Sequence, residues 1–122
     1  MDNKEAARLL GAARALFGAI ALIAPGLATC VWTGPGTDTL GARVLARGLG
    51  ARDLAVGMGT LVALEDDEAV SKWLQASAIA DVGDVLGLIT SFGQLPRWRR
   101  WAALATAGGA AYVGFRLSGE LD

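Results

Sequence analysis

The 122-residue chain has no histidine at all. With it goes the commonest general base and the commonest metal and haem ligand, so acid–base work falls to Asp, Glu, Tyr or Lys. Cys30 is the only cysteine, which excludes an internal disulfide and any cysteine-based metal cluster; a lone thiol of this kind reads as a small buried hydrophobe. Charge is scarce as well: charged residues make up 19% of the chain and the formal net charge is −1. Nucleic acid is set aside as a partner, because its binders carry a basic face or a high pI. No cofactor is expected. The opening "MDNKEAARLL" places acids ahead of its apolar run, with no small-residue cleavage site behind a basic start, and reads as a mature first helix instead of a signal peptide.

What remains is apolar and small. Hydrophobic residues account for 53% of the chain, with 17 glycines, and the mean hydropathy is +0.43. One domain of this size cannot hide that much apolar side chain in its own core. Glycine and alanine in such number suit helices that pack closely in lipid better than a bundle covered in Glu and Lys.

Four segments follow. The first runs from about Lys4 to Ala24, with Asn3 as its cap and Pro25-Gly26 as its stop or kink. "PGLATCVWTGPGTD" brings a turn after one more short helical piece. Asp38 or Thr39 caps the second segment, Thr39 to Leu64, and Asp66 or Asp67 the third, Ala69 to Phe92. Pro96 stands at the first position of the fourth, residues 97–117. Each segment is long enough, at about 30 to 39 Å, to cross a hydrocarbon core with some tilt. Trp32, Trp73, Trp98 and Trp101 fall at segment ends, where an amphipathic ring prefers the headgroup region. The expected fold is therefore all-α, a four-transmembrane-helix bundle of up-down-up-down topology in the cell membrane, with a soluble four-helix bundle as the alternative. The basic cluster at 97–100 turns both termini away from the cytoplasm.

The charges inside these segments carry the functional question. The midpoints of the first three segments lie near Arg14, Arg52 and Asp81, so three helices place charge at one depth. Across the hairpin of segments two and three Asp53 and Asp81 are level, making an Arg52–Asp81 or an Asp53–Arg14 contact sterically plausible. Seven residues, Arg14, Arg43, Arg47, Arg52, Asp53, Asp81 and Asp84, would each be costly facing lipid, and as four cations and three anions they are expected to pair. Arg43 lies near a segment end and is able to snorkel, as is Arg47 one turn deeper.

Asp81 and Asp84 share a helical face with Ser77. Two carboxylates so spaced are a recurrent way to hold one proton, which makes them the acid–base candidates, with Arg52 as orienting partner and Asp53 as brace. On that basis the chain is expected to bind, and to transform, a lipophilic small molecule such as an isoprenoid, quinone or epoxide. Two alternatives stay open: a structural protein whose ion pairs only fix helix register, and a proton- or ion-coupled carrier. Membrane lipid and a second copy of the chain are the other expected partners.

Other signals are bland. "GLGARD" lacks the strand, third glycine and Lys-Ser/Thr of a phosphate loop, and Gly48, Gly50, Gly57 and Gly59 are expected to admit a neighbouring helix. The pairs Ala105/Gly109 and Ala110/Gly114 read the same way. "EDDE" is a solvated turn with no calcium-loop spacing, and "RWRRW" an interfacial anchor. The stretches "RLLGAARALFG", "GARDLAVGMG" and "ASAIADVGDVL" together resemble a family of small four-helix actinobacterial membrane proteins classed as a domain of unknown function. Over roughly residues 8–116 the resemblance implies the four-span architecture and points at the Arg-Asp pair and the two later aspartates; it implies no reaction.

Overall fold

A computed structural model describes residues 1–34, 39–90 and 97–121. The described chain is all-helical: α1 (Asn3–Ile23), α2 (Pro25–Thr33), α3 (Leu40–Val62), α4 (Asp67–Thr90) and α5 (Arg97–Leu121), with a single 3-10 turn, Ala63–Glu65, joining α3 to α4. Asp38, Pro96 and the side chain of Trp32 lie outside what is described.

Local chemistry sets the helix ends. Asp2, one residue earlier than expected, caps α1: its side chain accepts from the Glu5 N–H at 2.7 Å while Glu5 reaches back to the Asp2 N–H. Asp2 supplies a carboxylate and Glu5 the matching carboxylate at the third helical position, so the reciprocal pair outcompetes Asn3. Pro25 opens α2, and Gly34, at φ 100°, closes it in a conformation that side chains with a β-carbon avoid. Thr39 caps α3 through Ala42 N–H at 3.1 Å, and Asp66 caps α4 through Ala69 N–H at 3.0 Å.

The helices form two close pairs. α1 runs antiparallel to α3 along a seam of Ala7, Gly11, Ala15, Gly18 and Ala21 on one side and Gly50, Gly57 and Thr60 on the other. Contact here is backbone to backbone. A β-carbon at Gly57 would lie 2.5 Å from Gly11 O and Ala15 N, one at Gly50 would lie 2.7 Å from Gly18 O, and one at Gly18 would meet the backbone of Gly50 and Leu54. The glycines of α3 thus divide by face: Gly50 and Gly57 admit α1, Gly59 lies under the Trp73 ring, and Gly48 faces open space.

α4 packs antiparallel to α5 over Val70, Leu74 and Ala78 against Ala103, Ala107, Ala111, Gly114 and Leu117. Gly114 sits against Ala78 and Leu74, and Ser71 Oγ donates to Ser118 O at 2.9 Å. Between the two pairs helix contact is sparse. Ala7, Leu64, Val70, Leu74 and Leu117 form an apolar plug at the end that holds both termini and the α3–α4 turn, and α2 covers the opposite end.

Residue sizes are inverted relative to a water-soluble bundle. The buried set is dominated by alanine and by polar groups, whereas Leu16, Ile23, Leu45, Val62, Leu86, Tyr112 and Phe115 are all exposed. Among the described residues α1 alone is both long and apolar enough to qualify as a membrane span by length and composition.

The seam generates a prediction. Gly57→Ala forces two backbones apart and is expected to cost about 1 to 3 kcal/mol as overpacking. Gly109→Ala, where nothing lies within 4 Å of the added carbon, is expected to be neutral or to gain up to about 1 kcal/mol from helix propensity. Thermal unfolding of both variants in detergent checks the difference.

Candidate functional site: a charged ladder at mid-depth

α1, α3 and α4 each carry their charged residue within about two turns of the helix midpoint, and the antiparallel packing brings these residues level. Arg14 of α1 donates from Nη1 to Asp53 Oδ1 at 2.8 Å and from Nη2 to both oxygens of Asp81 at 2.5 Å each. Arg52 of α3 donates to the same Asp53 Oδ1 from Nε at 3.3 Å and Nη2 at 3.1 Å. It also grips Asp84 with a two-pronged contact, Nη1 to Oδ1 at 3.0 Å and Nη2 to Oδ2 at 2.9 Å. The result is an alternating ladder, Asp81–Arg14–Asp53–Arg52–Asp84, in which each carboxylate meets at least one guanidinium.

Of the two contacts expected from the sequence, Asp53–Arg14 forms and Arg52–Asp81 does not. The reason is rotational. Asp81 lies on the inner face of α4, aligned with Ser77 and buried beside α1, whereas Asp84 is turned about 60° toward α3, so each aspartate finds the arginine on its own side. Asp81 and Asp84 therefore do not share a single partner, and the pairing of Arg52 with Asp81 is replaced by pairing with Asp84.

Arg47 is outside the ladder. It is exposed and donates from Nε to Leu22 O at 3.4 Å, near the carbonyl end of α1, where a cation offsets the helix dipole. Arg43 is exposed as well.

The ladder has an inner and an outer end. The side chains of Arg14, Asp53 and Asp81 are 8%, 10% and 6% exposed, against 31% for Arg52 and 35% for Asp84. At the inner end two buried polar atoms have no hydrogen-bond partner: Arg14 Nε and Ser77 Oγ. Ser77 stands one turn before Asp81 on the same face of α4, and the Nη2 of the Arg14 guanidinium meets Asp81. Neither is visible in the sequence, because satisfaction of a hydroxyl or a guanidinium NH depends on rotamers and neighbours. No metal-binding cluster of acids and thiols occurs among the described residues. No known protein family, curated protein or solved structure matches the chain.

Arg14 is the member whose loss is least compensated. Without it Asp81 is buried with no guanidinium, while loss of Asp81 leaves Arg14 still paired with Asp53. Arg14→Met is therefore expected to cost about 3 to 5 kcal/mol, the range for orphaning a buried charge. Asp81→Asn is expected to cost less than Arg14→Met, and Asp84→Asn, at the end that is a third exposed, least. Unfolding midpoints of the three variants, measured side by side, check the order.

Proposed function

We propose that this chain is a multi-pass cell-membrane protein, a four-span up-down-up-down bundle, that binds the oxygen-bearing head of a lipophilic small molecule beside the charged ladder. The membrane setting is supported by the inverted distribution of side chains. Large apolar residues cover the outside of α1, α3, α4 and α5, and small and polar residues fill the inside, the arrangement that lipid-facing helices adopt. These four helices, of 21, 23, 24 and 25 residues, measure about 31 to 38 Å. Five ionisable groups within about two turns of the helix midpoints would be costly against acyl chains one by one and are tolerated as a mutual network.

The observation that carries the ligand is the pair of unpartnered buried groups, Arg14 Nε–H and Ser77 Oγ–H. Both can donate, and the oxygen-bearing head of an isoprenoid, quinone or epoxide that reached either one would supply the acceptor it lacks. α1 and α5 touch sparsely, and the route proposed for such a molecule runs between the two helix pairs there. Transformation by Asp81 and Asp84 adds a condition: the incoming oxygen must compete with a guanidinium for a carboxylate that already has both oxygens engaged.

That engagement favours a second reading, in which the ladder only fixes the register of the two helix pairs and nothing binds. Ser77→Ala separates the two. If a ligand is held there, wild-type protein extracted in mild detergent carries an apolar oxygenated compound detectable by mass spectrometry, and Ser77→Ala loses it and unfolds at a lower temperature. If the ladder is purely structural, nothing co-purifies and Ser77→Ala gains about 1 kcal/mol, because an unpaired buried hydroxyl has been removed.

A further inference from the structure

We infer that a second copy of this chain covers the outer groove between α3 and α4, so that the exposed end of the ladder is completed by a homodimer. The inference rests on the membrane reading above and concerns the end of the ladder opposite the proposed ligand.

Arg52 and Asp84 are a third exposed, and Arg52, near the middle of α3, lies about 15 Å or more from either end of its helix. A single protomer would present this ion pair to acyl chains, the arrangement that transmembrane ionisable residues avoid. The surface around the pair is shaped for close approach. Gly48 and Ala55 flank Arg52 on the outer side of α3, and Gly83 adjoins Asp84 on the outer side of α4; all three are exposed, and β-carbons built at Gly48 and Gly83 meet nothing within 4 Å. Exposed Leu49 on α3 and Val82 and Leu86 on α4 border these small residues and add an apolar rim to the pair.

Charge decides the occupant. The exposed pair presents one cation and one anion at nearly the same depth, so a twofold axis along the bilayer normal sets Arg52 of each copy against Asp84 of the other. Two isolated pairs become a closed quartet of alternating sign, and the symmetry makes the patch its own complement. An acyl chain offers no counter-charge, and the small residues Gly48, Ala55 and Gly83 leave room beside the pair for a partner's side chains.

The test uses the full chain, fluorescently labelled and reconstituted at high lipid dilution, with subunits counted by single-molecule photobleaching. Two-step bleaching is expected for the wild type. The double variant Ala55→Leu/Gly83→Leu, which adds bulk only outside the protomer, is expected to weaken association about tenfold or more while helicity and unfolding temperature hold. Tyr112→Leu, on the opposite side, is expected to leave the count at two. One-step bleaching of the wild type, a larger defined oligomer, or a dimer broken equally by Tyr112→Leu and by the double variant overturns the proposal. Release of the protein from native membranes by alkaline carbonate would instead overturn the membrane reading, so the two failures are distinguishable.

Discussion

Arg14 is the side chain on which the arrangement of the bundle turns. Its guanidinium lies between the two helix pairs and is held from both: α3 supplies Asp53 and α4 supplies Asp81. The contact between α1 and α4 is made at long reach, by side chains instead of backbones, and it is reinforced at the surface by Lys4 and Asp67 at 3.2 Å. An arginine suits this position where a lysine would not, because its planar fork presents separate N–H groups to two carboxylates at once. A point charge on a flexible stem would have to choose.

The glycine seam and the ladder depend on each other. Where α1 and α3 meet, the backbones are so close at Gly18, Gly50 and Gly57 that even a methyl would clash, so that stretch of the pair cannot be filled with leucine or phenylalanine. The pair is stabilised by many short van der Waals contacts, and the wider space between it and the α4–α5 pair is bridged by arginines. The large apolar cluster is confined to one end, around Leu64, Val70, Leu74 and Leu117, where it ties both termini and the α3–α4 turn together. Register is thus set twice, by hydrophobic packing at that end and by charge at mid-depth, and a slide of one pair past the other would have to break both.

Much of this was legible in the sequence, and the limit has a physical origin. Four long segments, their approximate ends, the short helix after Pro25 and the depth of the charges follow from apolar run length, turn residues and a 1.5 Å rise, all of which are local or additive. The Asp53–Arg14 contact followed because α1 and α3 pack side by side. The partner of Arg52 did not. Asp81 and Asp84 are only three residues apart, and about 60° of helical rotation decides which faces α1 and which faces α3; counting residues from a turn fixes depth, and rotation is fixed by the seams. The glycines show the same division. Four of them in "GLGARDLAVGMG" are equivalent on paper, yet Gly50 and Gly57 admit α1, Gly59 receives Trp73 and Gly48 faces outward. The unpartnered Ser77 hydroxyl and Arg14 Nε lie beyond sequence altogether, since being unsatisfied is a property of the assembled interior.

Asp53 gives the ladder a property that neither end has alone. A single oxygen, Oδ1, accepts from Arg14 and from Arg52, so the two guanidiniums compete for one acceptor. A group that draws Arg14 toward Ser77 and Asp81 weakens its hold on that oxygen and leaves it to Arg52, whose grip on Asp84 then shares its donors differently. The converse holds for a group that draws Arg52 outward. If the inner end takes a ligand oxygen and the outer end a second protomer, as proposed, the two events address the same carboxylate, and whatever effect one has on the affinity of the other is returned by the same factor. A coupling of this kind needs no travelling conformational change, because the shared acceptor is already in place.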